Sequence, residues 1–179
     1  MADIEAIRMT YLEDDVSEVE WTSISQAYEH LVLRVSAKCQ RTNAANDDIG
    51  LRFNGDTGTN YSYSRMVGSV SAETTSRNNS VNLLKVSSIT SGAMLAGSEN
   101  YAGLVVDIFD YTATAKNTTV TFMGGLTSGP ESHHDSATRV VFGSGFWDST
   151  SAVNRINLIT NSGADWLRGS VFALYGWND

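Results

Sequence analysis

Between His30 and Lys38 the side chains alternate: Leu31, Leu33, Val35 and Ala37 share one face, while His30, Arg34, Ser36 and Lys38 share the other. A period of two with one apolar side is the mark of a strand lying on a core. Val32 interrupts the polar face, so some cover on both sides is expected there. The same period returns at Ile49, Leu51 and Phe53, then over 63–70 and 81–89. Leu104, Val106 and Ile108 alternate with Val105, Asp107 and Phe109, and further runs lie at 120–122, 139–142, 153–159 and 171–175. With Ile7 to Leu12 and Glu18 to Trp21, the count comes to about ten short strands separated by Gly, Ser, Asn and Asp, the spacing of a sandwich or barrel. Only 99–106 and 23–31 could hold a short helix. No internal repeat marks a second domain.

The turns agree with a β protein. Leu51-Arg-Phe-Asn-Gly-Asp-Thr-Gly-Thr-Asn-Tyr61 runs from a strand into Asn54-Gly55, a pair suited to the positive φ angles of a tight reversal, with Asp56, Gly58 and Asn60 able to bond local backbone. The single proline, Pro130, falls in the 128–136 loop, where it interrupts no ladder. Gly124-Gly125 suggests a bulge or a close approach of backbone. Sheet edges left open invite pairing, and a homo-oligomer is one way of covering them.

At 179 residues the chain can bury a core in one domain. Its one cysteine, Cys39, offers no internal disulfide. The opening Met-Ala-Asp-Ile-Glu-Ala has neither the basic start nor the apolar run of a signal peptide, and no segment approaches the about 20 apolar residues of a membrane span. Synthesis in a cytoplasm, without a membrane partner, is therefore expected.

The net charge of -8 argues against a nucleic-acid partner, since phosphate affinity comes largely from Lys and Arg. Residues 1–20 carry seven acids against Arg8 alone, which leaves 13 acids and 11 bases for the other 159 residues. The leading segment is read as an acidic N-terminal arm or first strands, ahead of a β-sandwich domain over 21–179. Such an arm either stays solvated or docks on a basic partner surface.

Candidate chemistry is thin. Glu131, His133, His134 and Asp135 crowd one loop and include residue types that zinc accepts, although adjacent histidines on a strand point apart and no distant ligand completes the set. Gly143-Ser144-Gly145 lacks the spaced glycines of a nucleophile elbow. Asp47, Asp48 and Asp56 miss calcium-loop spacing and are accounted for as turn residues. No catalytic, cofactor or metal residue is assigned, and no enzyme is expected. Of the C-terminal aromatics, Phe142, Phe146, Trp166, Phe172 and Tyr175 are expected mainly in the core, with Trp147 and Trp177 exposed. Arg34, Lys38 and Arg41 form an ordinary outward basic group.

Four segments stand in a recognisable order: Tyr28-Glu-His-Leu-Val-Leu33; Leu51 to Gly58 with Asn60-Tyr61-Ser62; Ile108-Phe-Asp-Tyr111 with Thr114 and Lys116; and Gly169-Ser-Val-Phe-Ala-Leu-Tyr-Gly176. Together, over about residues 20 to 176, they resemble a family of small tailed-bacteriophage virion proteins of jelly-roll type. Thr118 and Trp177 depart from the family's usual residues. The resemblance implies an all-β, antiparallel jelly-roll sandwich that forms a trimer and serves as a capsid cement or tail-fibre protein.

The expected function is a capsid decoration protein on the outer capsid surface of a virion, bridging and stabilising major capsid subunits. The chain has no heptads or long repeats to form a fibre shaft. The alternative is a receptor-binding tail-fibre module for host surface glycans; a glycan-cleaving enzyme lacks a paired-carboxylate signature. Partner contacts are expected at Asp3, Glu5, Glu13, Asp14, Asp15, His133, His134, Trp147 and Trp177.

Overall fold

The computed structural model describes residues 4–92, 100–127 and 138–178. Its strands are β1 (Glu5–Tyr11), β2 (Glu18–Trp21), β3 (His30–Cys39), β4 (Asn46–Phe53), β5 (Tyr61–Ser69), β6 (Glu73–Val81), β7 (Leu84–Ser91), β8 (Ala102–Phe109), β9 (Thr118–Leu126), β10 (Arg139–Trp147), β11 (Ile156–Thr160) and β12 (Val171–Trp177). No helix occurs among the described residues, so the two segments that could have held one are loop around Ser25 and strand from Ala102.

The larger sheet runs β1-β12-β3-β8-β9-β10-β5-β6 and the smaller β2-β11-β4-β7, all neighbours within each being antiparallel. The quartets β1-β12-β3-β8 and β2-β11-β4-β7 reproduce the strand order of an eight-stranded jelly roll. Two inserted hairpins, β5-β6 between β4 and β7 and β9-β10 between β8 and β11, lengthen one sheet only. The end of β3 also meets β7 in parallel at Lys38–Thr90 and Cys39–Ser91, joining the two sheets at a corner.

The alternation explains the layers. Leu31, Leu33, Val106, Ile108, Val120 and Val141 of the larger sheet and Ile49, Leu51, Phe53, Leu84 and Leu158 of the smaller are fully buried. β7 packs across the core onto β9 and β10, and its run Ser87-Ser88-Ile89-Thr90-Ser91 is buried throughout. Gly124 fits opposite because a Cβ there would strike Ser87 and the Gly103 carbonyl, the close approach that the glycine pair suggests.

Several sequence expectations need correction. The strands number twelve rather than about ten: β6 is an exposed polar strand without apolar alternation, and β10 continues through Gly143 and Gly145 to Trp147. Of the two readings of the acidic segment, arm or first strands, the structure has strands from Glu5 onward. Its β1 pairs with β12 and its β2 with β11, and Val19 and Trp21 reach the core between Glu18 and Glu20. Asp47 and Asp48 are strand residues, not turn residues. Asp47 accepts from the Ser162 backbone and side chain, while Asp48 takes a two-pronged ion pair from Arg65 at 2.9 and 3.1 Å. Asn54 and Gly55 do adopt positive φ, 52° and 69°.

Candidate interaction surface

Strand parity divides the larger sheet into an inner face on the core and an outer face on solvent. The register sets the outer residues in transverse rows. One row carries Met9, Ala173, Arg34 and Val105 across β1, β12, β3 and β8. It continues through Met123, Phe142, Met66 and Thr75 on β9, β10, β5 and β6. A parallel row begins at Tyr11 and Val171 and passes over Gly103, Gly125, Val140 and Gly68 to Glu73.

These rows concentrate exposed apolar surface. Met9 is 73% exposed, Met123 64%, Val140 57%, Tyr11 53% and Phe142 50%. Met123, Phe142, Met66 and Val140 are neighbours across β9, β10 and β5, while Met9 and Tyr11 lie apart on β1 beyond Arg34 and Ser36. Gathered apolar exposure such as that of the first four is the usual mark of an association surface. The surface has relief: Met66, Phe142 and Met123 form a ridge. Beside it the paired glycines Gly103 and Gly125 leave a hollow of about 520 Å³, bounded by Arg34, Val105, Met123 and Val140.

Beyond the ridge the face turns polar. The next row holds Asp107, Thr121, Ser144, Ser64 and Arg77, and the one after it Phe109, Thr119, Phe146 and Ser62. Ser144 thus sits in mid-strand between Thr121 and Ser64, with no histidine in its row and no elbow in the backbone. Charges on these outer strand positions are Arg34, Arg77, Glu73 and Asp107, two of each sign. A chain of net charge -8 therefore presents a balanced face here.

The expected contact residues do not form one site. Trp147 is buried, 4% exposed, with its ring beside Phe53 and stacked over Tyr61, and its indole nitrogen on Asp56; it cannot present a ring to a partner. The exposed rings of β10 are instead its neighbour Phe146 and Phe142, both expected in the core. Their even parity on β10 was the available signal. Trp177 is half-buried, its ring 4.5 Å from that of His30.

Glu5 accepts a hydrogen bond from Tyr28 at 2.6 Å, which raises the phenol pKa above its ordinary value. Asp15 receives the Arg168 backbone N–H at 2.8 Å, while Glu13 and Asp14 project from the β1–β2 connection. Trp21 donates to Thr10 at 3.0 Å and holds β2 beside β1, so these acids line one edge of the sandwich. Asp3, His133 and His134, with Glu131 and Asp135, lie outside the described residues. Among the described residues no group of three or more His, Cys, Asp or Glu converges as a metal site.

No protein-family model matches the chain, and no curated protein matches it significantly.

Proposed function

We propose that the protein is a bacteriophage virion structural protein, a capsid decoration protein whose copies associate through the outer face of the larger sheet and bridge major capsid subunits. The observation that carries adhesion is the apolar ridge of Met66, Phe142 and Met123 lying beside the Gly103/Gly125 hollow. The phage assignment draws on the order of sequence segments that resemble that family.

A second copy suits the apolar rows in two respects. A ridge beside a hollow lets one copy insert into the next, and balanced charge removes the repulsion that an acidic chain otherwise meets in approaching itself. Burying a Phe or Met side chain contributes roughly 1.5–3 kcal/mol toward the cost of association. Closure into a trimer, the arrangement that the resemblance implies, would avoid filament growth.

Binding that exists only on the assembled shell stabilises the shell by mass action, with no bond made or broken. The acidic edge with Glu5, Glu13 and Asp14 is the proposed docking surface for the capsid. Microscopy of intact particles tests the proposal: many copies over the head are expected. A few copies confined to the tail would favour the glycan-recognition role, and absence from the particle would end both.

A further inference from the structure

The polar end of the same outer face forms a trough of about 390 Å³, within the range of about 300–1,000 Å³ common for small-molecule sites. Ser62, Ser64, Thr119 and Ser144 line it through adjacent positions of β5, β9 and β10. Phe146, 39% exposed, supplies a ring. Arg77 and Asn79 stand on one side and Asn117 on the other.

We infer that this trough is a saccharide-binding site, taking a neutral pyranose unit with Phe146 against an apolar face of the sugar and the surrounding hydroxyls and amides on its hydroxyl groups. The polar groups retain capacity for a ligand. Ser64, Thr119 and Ser144 have no side-chain hydrogen bond among the described residues. Asn117 uses its amide nitrogen on Asp148 at 3.0 Å, which leaves its oxygen as an acceptor. Arg77 donates through Nε to the Asn79 oxygen at 3.3 Å, which leaves the Asn79 amide nitrogen and the outer guanidinium as donors.

Mixed donors and acceptors around one ring match the alternating C–H and O–H surfaces of a sugar. A nucleic-acid strand would need a cationic track, and Arg77 is the one cation lining the trough. The ridge residues lie one row away, about 7 Å along the strands, so copies packed on the ridge need not fill the trough.

The test is a titration of the intact protein against an array of neutral hexose and N-acetylhexosamine oligosaccharides, with hits measured by saturation-transfer NMR. Phe146→Ala is expected to weaken the selected sugar about tenfold, Phe146→Tyr to retain it, and Asn79→Ala to weaken it. Unchanged circular dichroism would verify each fold. No binding across the array, binding indifferent to Phe146→Ala and Asn79→Ala, or displacement of the sugar by a single-stranded oligonucleotide would overturn the assignment. This result is separable from the decoration role: a protein found over the capsid head that binds no sugar loses only the trough.

Discussion

Trp147 donates its indole N–H to a carboxylate oxygen of Asp56 at 2.7 Å and so fastens the end of β10 to the turn that follows β4. Asp56 also accepts from the Asn60 side chain and the Gly58 backbone, both at 2.8 Å. Asn60 first, and Trp147 next, hold its carboxyl below the usual aspartate value. Trp147→Phe keeps a ring among Phe53 and Tyr61 but removes the bond. A loss of about 1 kcal/mol is expected, because the carboxylate keeps access to water. Chemical denaturation would measure it, and an unchanged midpoint would show that this link contributes nothing.

Asp48 sits between Arg65, Lys85 and Ser88. Burial opposes its charge, but the Arg65 hydrogen bonds and the two cations outweigh that and leave its pKa lowered. A carboxyl depressed in the folded state binds fewer protons there than in the unfolded chain. Its stabilisation is therefore complete above the unfolded value of about 3.9 and is lost as pH falls through the folded value. Asp48→Asn, by stranding Arg65, should cost about 3–5 kcal/mol near neutrality. The deficit relative to wild type should shrink in acid melts below about pH 4; a deficit independent of pH would contradict this account.

Phe142→Asp places a charge between Met66 and Met123 on the proposed association face. Light scattering should show a shift to monomer, with monomer stability changed by no more than about 0.5 kcal/mol. An oligomer of unaltered mass would move the interface elsewhere.

Two glycines paired to the same sheet should respond in opposite ways. A Cβ on Gly143 points inward, 2.7 Å from Phe122 and 2.9 Å from the Arg65 Cα, whereas a Cβ on Gly68 meets nothing within 4 Å. Gly143→Ala should lower stability by about 1–3 kcal/mol, and Gly68→Ala should leave it near wild type or slightly raised. Thermal melts of the pair check the inner and outer assignments of β10 and β5.

Cys39 is fully buried, and burial is the main reason that its thiol is pushed up to about 11. A thiol reagent should label it at neutral pH only as fast as the protein unfolds. Rapid labelling under native conditions would contradict its place in the core.

Strands with one buried face were legible because the solvent boundary writes alternation into the residues, as at Leu31 to Ala37. β6 was not, because an edge strand exposed over most of its length has no apolar positions to repeat. The strand pattern was read only over 139–142, because Gly143 and Gly145 carry no side chain to continue it, so the parity of β10 was not followed to its end and Trp147 was exchanged with Phe146 as the exposed ring. Strand β2 was legible despite its charges, because Glu18 and Glu20 alternate with Val19 and Trp21, its inward residues. The segments that carry the resemblance contribute chiefly architecture. Tyr61 and Tyr111 are fully buried and Asn54 makes a turn, so their pattern speaks of a scaffold, while the apolar ridge and the trough depend on residues brought together by cross-strand register.

Strand β3 belongs to both layers, since its last residues bond onward to β7. The sandwich is consequently bound like a book along that corner, with main chain as its spine. A tensile load applied to one leaf passes to the other through those peptide hydrogen bonds, and at the fore-edge by β2 the Trp21 to Thr10 link adds to the main-chain bridge between Val16 and Trp166.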